Sequence, residues 1–472
     1  MARILLSYFS DYGEAMYDAI CSVLRKNGND IFRFNINCDY VESTGWGGEC
    51  KIIDNKIISQ INTFSPEIVL NFNHSLPINL YDVISDTCKI CIIDADNPET
   101  FWNKGLLSHN SKRYFFLGLQ SYSKEMYEKC LLRALEDEVD YIYFPPATVV
   151  KSENLAQDKN ISFIGSNFYP LYIPENDNFY KKEALLLYDE FVKNYFFPFE
   201  NVNNKEETWY CSNELYKDIR AYYVGQDRLK SMQVLTDLGF TFYGVRWWNR
   251  IAYYDFELAK CFDDTPKVSI EDNQWVYNTS KVSVNISHPQ AKSSFSWRVM
   301  DIMASNACLL MEDKPDWKDL FGKFLSKETL DTVIYSDRYD MRKKAIILLK
   351  DDNLRARCVA DLNNAIEQNG RWEHRFIHLE KFLNVSILGL NNMNPTYIYI
   401  KQGDGKNQLR NELIQCKIVN KKNIIKKMKF LKRGKMFFYA VCLACAQIPI
   451  VDFIFRRKRR DKILQKIHKY WR

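Results

Sequence analysis

The sequence predicts an α/β protein of two doubly wound halves, followed by a basic, apolar tail. Three observations carry this. Between residues 1 and 155, short apolar runs alternate with amphipathic stretches, which implies a parallel sheet covered by helices. The same alternation restarts at Asn160–Ser166 and continues to about residue 370. Charge is also divided: residues 417–472 hold 18 Lys+Arg against Asp452 and Asp461. That segment therefore carries +16 and the rest of the chain −10, within a net charge of +6.

Length and composition agree with two cores. A chain of 472 residues exceeds what one core organises, and 46% apolar with 26% charged residues is ordinary for globular domains. Aromatic residues at 15%, with abundant Asn, Lys, Ile and Tyr, read first as a bias of the coding DNA. Arg3–Phe9 enters directly as a strand, without the basic, apolar and cleavage regions of a signal peptide, so a cytoplasmic location is expected. Thirteen scattered cysteines fit reduced thiols. The pairs Cys88/Cys91 and Cys442/Cys445 read as small apolar residues, and neither a metal nor a cofactor is expected.

The first half (1–155) is taken in order. Ile4–Phe9 is a buried strand, and Ser10–Gly13 turns into a helix over Ala15–Lys26. Ile31–Asn35 is a strand, and a Gly-rich loop at Gly45–Gly48 leads to a helix over Ile52–Thr63. Glu67–Phe72, Cys88–Ile93, Arg113–Leu117 and Tyr141–Phe144 supply further strands. Polar groups stand at three strand ends: Asp11, His74, and Asp94-Ala95-Asp96. An Asp-x-Asp triplet alone is a weak metal signal; here a loop cap ended by Pro98 is the plainer reading. His74 is a general base of suitable type or a loop histidine.

The second half (156–370) opens on the strand Asn160–Ile164 and a turn at Gly165 and Ser166, where backbone can approach a ligand closely. A helical insertion over about 178–238 follows. Phe240–Tyr243 is a strand capped by Gly244, and Trp247-Trp248 either stacks on a ring or packs in the core. The stretch Lys281–Gly322 organises this half. Val282, Val284 and Ile286 alternate with polar residues as a strand, and Ser293 or Ser294 can cap the helix after it. At about 100° per residue, Ser294, Arg298, Asp301 and Ser305 share one helix face. The helix is expected to stop at a left-handed Asn306, before an apolar strand over Ala307–Met311. A ligand is expected beyond the carboxyl end of the first strand, where free N–H groups and the Arg298 fork suit a phosphate. Thr332–Tyr335 makes another strand, Arg338–Lys350 and Asn353–Gln368 two helices, and a last helix begins at Arg371. His374 and His378, four apart, read as surface residues for want of a third metal ligand.

Tyr277-Asn278-x-Ser280-Lys281, Val284-Asn285-Ile286 and Arg298–Ser305 together resemble the donor-site segment of the CgeB-like glycosyltransferases, within the broad glycosyl transferases group 1 kind. The resemblance runs more weakly from about Ile4 to about Leu383. It implies the GT-B fold: two Rossmann-like domains facing each other, acceptor domain first, nucleotide-sugar donor domain second, and a crossover helix with linker over 371–416. It also implies sugar transfer to a glycan or lipid-linked acceptor, without a metal, in bacterial cell-surface polysaccharide or glycoconjugate synthesis. Gly165, Ser166, Gly244, Tyr277, Asn278, Asn285, His288, Ser294, Ser296, Arg298, Asp301 and Ser305 become donor-binding candidates. Lys281 is either a phosphate contact or a solvated strand start. Asp301 reaches ribose or sugar hydroxyls, or holds Arg298. Asp11, His74 and Asp96 are the unranked base candidates of an inverting reaction. The chain departs from the family at Asn306, usually glycine, and at Ser293, which takes the first place of the Glu-x7-Glu pattern of retaining relatives. The alternative is a GT-B-shaped saccharide-binding or assembly protein without transfer activity.

The tail (417–472) interleaves a basic run, Lys421–Lys435, with apolar residues, and Met436–Phe455 follows. Gln447, Pro449, Asp452 and flanking basic clusters favour lying in an interface over spanning it. Attachment to an anionic membrane surface at the inner face of the cell membrane is the expectation. Nucleic acid is not expected as a partner, because the basic charge is confined to this tail.

Overall fold

The structure is a computed structural model. It describes residues 1–10, 14–38, 41–43, 50–95, 113–166, 227–244, 248, 251, 255–265, 267, 269–288, 291, 293–389 and 394–398. The Gly-rich loop, most of the 178–238 insertion and the whole tail lie outside the described residues. No helix among the described residues is long and apolar enough to cross a membrane.

Two all-parallel sheets form the framework. The first takes β1 (Arg3–Tyr8), β2 (Asp30–Asn35), β5 (Ile68–Phe72), β6 (Lys89–Ile93), β7 (Tyr114–Gly118) and β8 (Tyr141–Tyr143), in the order β2-β1-β5-β6-β7-β8. The second takes β9 (Lys159–Ile164), β10 (Phe240–Tyr243), β11 (Ser280–Val284), β12 (Cys308–Glu312) and β13 (Ile334–Tyr335), in the order β10-β9-β11-β12-β13. Strands covered on both faces read as continuous apolar runs, and β5 is buried along its whole length.

Helices α1 (Ala15–Lys26), α2 (Asn55–Phe64) and α3 (Ser123–Leu131) accompany the first sheet. The sequence missed α3, and it missed a two-stranded antiparallel ribbon of β3 (Val41–Ser43) and β4 (Cys50–Ile52). Ile52 belongs to that ribbon, so α2 starts later than expected, where Asp54 accepts the Lys56 N–H as N-cap.

With the second sheet go α4 (Phe256–Lys260), α5 (Ile270–Asn278), α6 (Trp297–Met303), α7 (Pro315–Phe321), α8 (Lys327–Val333), α9 (Arg338–Lys350) and α10 (Asp352–Asn369). The last helix, α11 (Trp372–Leu383), stacks Trp372 on Trp297, ring centroids 5.4 Å apart. Thr332 and Val333, expected in a strand, close α8 instead, which leaves β13 only two residues.

The chain passes between the sheets near residues 145–158 and returns at 370–375, and the two passages are bonded together. The Thr148 N–H donates to the Gly370 carbonyl at 3.0 Å, and Arg371 donates to the Val150 carbonyl. Asp301 is anchored to this crossing: the Thr148 hydroxyl donates to its carboxylate at 2.6 Å. Burial pushes the Asp301 pKa up to about 7, against the Thr148 hydrogen bond, Arg298 and Arg371. The unfolded chain releases this proton near pH 4, while the folded chain holds it to about 7. Stability is therefore expected to fall as pH rises between those values. Asp301→Asn keeps a Thr148 acceptor that never ionises. Melts from pH 5 to 8 should show the variant gaining on the parent, by on the order of 2 kcal/mol or more at pH 8. Parallel curves would refute the assignment.

Candidate active site

Each sheet reverses its order of growth once. The first does so between β1 and β5, the second between β9 and β11. Such switch points open a crevice at the carboxyl ends of the strands, where ligands of doubly wound sheets bind.

At the second switch point, β9 ends in Phe163-Ile164-Gly165 and β11 runs into Asn285. Arg298, in the first turn of α6, returns to place its guanidinium 5.2 Å from the Phe163 ring centroid. A Cβ on Gly165 would lie 3.1 Å from Arg298 Nη2, so glycine leaves room for that group. The Arg228 guanidinium lies 5.4 Å from the same ring, and donates to the Ser166 carbonyl at 2.8 Å and to that of Ile286. It ties together the loops that follow β9 and β11. Asn285 is the hub: its Oδ1 accepts from Ser296 Oγ at 2.6 Å and from Arg298 Nη1 at 3.3 Å. Burial pulls the Arg298 pKa below its ordinary value, opposed by Tyr277, Glu312 and Asp301.

At the first switch point, Asn73 and His74 both adopt left-handed backbone, with φ of 50° and 49°. Two successive non-glycine residues in that region store strain at a strand end. The turn aims the imidazole along the edge, where His74 Nε2 meets the Asp94 carboxylate at 3.1 Å. The Asp94 side chain is 1% exposed and that of His74 9%. The Asn73 side chain holds the next loop by accepting the Ala95 N–H at 2.7 Å.

The two carboxyl edges meet. Just beyond β7, Ser121 donates its N–H and hydroxyl to the Asp316 carboxylate at 2.9 and 2.6 Å, and its hydroxyl bonds Ser293 at 3.1 Å. Ser294 donates to the Leu119 carbonyl at 2.9 Å.

Several sequence expectations change in consequence. The helix begins at Trp297, not at Ser293 or Ser294, and spans seven residues. Anion recognition therefore falls to Arg298 and Asn285 rather than to a helix start. Ser294 serves the contact between sheets. Asp301 turns to Thr148, not to a ligand and not to Arg298. Asn278 and Ser305 bond protein: Asn278 takes the N–H groups of Glu153 and Asn306, and Ser305 the Ala307 N–H. Lys281 stands at the amino end of β11, about 13 Å of strand from Asn285 at roughly 3.3 Å per residue, so it is a strand start rather than a phosphate contact. The space beside Gly244 is filled by the Gly165 carbonyl and the Trp248 indole, which donates to that carbonyl at 2.8 Å. Trp248 is thus a core residue; Trp247 lies outside the described residues. Asn306 is not left-handed, and its side chain holds Ser152 and Glu153 of the crossing.

The buried Tyr277 hydroxyl lies near Arg298 and Asp301, and His288 stands in the loop after β11. Among the base candidates, Asp11 and Asp96 lie outside the described residues, and His74 is at the switch point. His374 accepts the Arg371 N–H and His378 pairs with Glu138. Among the described residues no cluster of three metal-ligating side chains occurs. Sequence reasoning missed Arg228, Asp94 and Glu312. Arg228 and Glu312 belong to no motif, and Asp94 was read only as half of Asp-x-Asp.

Two parallel sheets meeting at their switch points, one side presenting a guanidinium and the other a histidine, define a glycosyltransferase of the GT-B kind. Residues 226–381 match the sequence model of the family described as "Glycosyl transferase-like", and the segment from Tyr277 to Ser305 lies inside that match. No curated protein matches the chain. Among solved structures, T4 phage BGT in complex with UDP and Mn2+ is 11% identical, covering 82% of this chain and 100% of that one, with a TM-score of 0.44. The S. aureus MnaA–UDP co-structure is 9% identical, covering 82% and 98%, with a TM-score of 0.39. S. aureus TarM in complex with fondaparinux, alpha-GlcNAc-glycerol and UDP is 10% identical, covering 73% and 64%, with a TM-score of 0.37.

Proposed function

We propose that this glycosyltransferase seats a nucleotide-sugar donor at the β9/β11 switch point and a glycan or lipid-linked acceptor against the β1/β5 switch point. Residues 1–155 then form the acceptor half, residues 156–370 the donor half with its insertion, and 371–416 the crossover and linker. The observation that carries the reading is the Phe163–Gly165–Asn285–Arg298 cluster at a switch point. A departing nucleoside diphosphate gains two negative oxygens' worth of charge to stabilise, and a preorganised guanidinium fork supplies that without a metal. On the opposite edge His74 takes the acceptor hydroxyl proton, and Asp94 holds the ring and stabilises the imidazolium. Attack from that side, with no acid at Ser293 to serve the donor face, inverts the anomeric centre.

The tail's charge of +16 supports a peripheral place at an anionic inner membrane face. There a lipid-linked acceptor of cell-surface polysaccharide or glycoconjugate synthesis would be within reach. The test is incubation of the purified full-length chain with UDP- and GDP-sugars, with and without EDTA, following nucleoside diphosphate release. Release that survives EDTA is expected. Nucleotide bound but never turned over would favour a saccharide-binding or assembly protein, and no nucleotide bound would overturn the donor site. Flotation with anionic liposomes should be lost on deletion of residues 417–472.

A further inference from the structure

We infer that Glu312 is a positioning residue of the donor site, acting on Arg298 through the amide of Asn285; this rests on the donor site proposed above. Glu312 ends β12, beside the switch point. Its carboxylate accepts the Ser287 N–H at 2.7 Å, the Ser287 hydroxyl at 3.0 Å and Asn285 Nδ2 at 3.1 Å. Three protein donors occupy it, so its effect on a ligand is indirect.

An ionised carboxylate accepts hydrogen bonds and donates none. The Asn285 NH2 must therefore face Glu312, and Oδ1 is turned the other way, towards Ser296 Oγ at 2.6 Å and Arg298 Nη1 at 3.3 Å. The Asn285 backbone is fixed independently: its N–H donates to the Leu310 carbonyl at 2.7 Å, and its carbonyl accepts the Tyr335 hydroxyl at 2.7 Å. Only the orientation of the amide is left to be set, and Glu312 sets it. With the amide reversed, its NH2 would point at a guanidinium, and the fork would lose the acceptor that holds it beside Phe163.

The test uses the full-length chain and calorimetric titration with UDP and GDP. Glu312→Gln offers NH2 donors where only acceptors serve, and is expected to weaken nucleotide binding about tenfold. Asn285→Ala should show a similar loss. Glu312→Gln placed on Asn285→Ala should then add almost nothing, because the relay is gone. Equal tenfold losses in both backgrounds would overturn the inference, as would parent-like binding by Glu312→Gln. If Glu312→Gln folds poorly, Glu312→Asp keeps the charge but withdraws it from Asn285; weakened binding at a parent-like melting temperature supports the relay, and unchanged binding overturns it. Absence of UDP and GDP binding by the parent chain would instead sink the donor site itself.

Discussion

Arg298→Ala is expected to lower nucleotide-sugar turnover by on the order of 10²-fold or more, the usual effect of removing one group that meets developing negative charge. The side chain is not on an open polar face, as the helix pattern suggested; it packs over Phe163 beside Gly165. Some loss of melting temperature is therefore expected in the alanine variant. Arg298→Lys separates the two effects: it retains a cation and much of the packing but lacks the planar fork, so a large rate deficit should persist at near-parent stability. Full turnover in Arg298→Ala would remove the donor assignment. Losses of rate and stability that match in both variants would make Arg298 a structural residue.

His74→Asn is expected to reduce turnover by about 10² to 10⁴-fold, the range for loss of a positioned general base, while nucleotide binding at the other sheet stays at the parent level. Asparagine is the right replacement because position 74 is left-handed, and asparagine tolerates that backbone better than most residues. It cannot take up a proton. The decline of rate at acid pH seen in the parent, where the imidazole is protonated, should vanish in the variant. Undiminished turnover in His74→Asn would pass the role of base to Asp11 or Asp96.

The framework was legible in the sequence because parallel strands buried on both faces print as unbroken apolar runs. β5, β6 and β7 were found from that signal alone, and α1 and α9 from their helical spacing. What escaped was decided by tertiary contact. The helix at Arg298 gave way at its start because Ser293 and Ser294 are drawn to Ser121 and Leu119 of the other sheet. Asp301 matched a family position, yet its partner, Thr148, lies 153 residues away in the chain. His74 was named from its place after an apolar run, but nothing local announced that Asp94 would face it. Asn306, an exception to the family glycine, is explained by its bonds to Ser152 and Glu153.

The paired passages at Thr148–Val150 and Gly370–Arg371 have a mechanical consequence. A single tether would let one half slide, twist and tilt against the other. Two strands laced side by side act as a door hinge: they oppose sliding and leave one swing as the soft motion. On the lip away from that hinge, Ser121 and Asp316 form the catch. Each swing must break or remake the catch, which sets the angle at which Arg298 and His74 share one substrate.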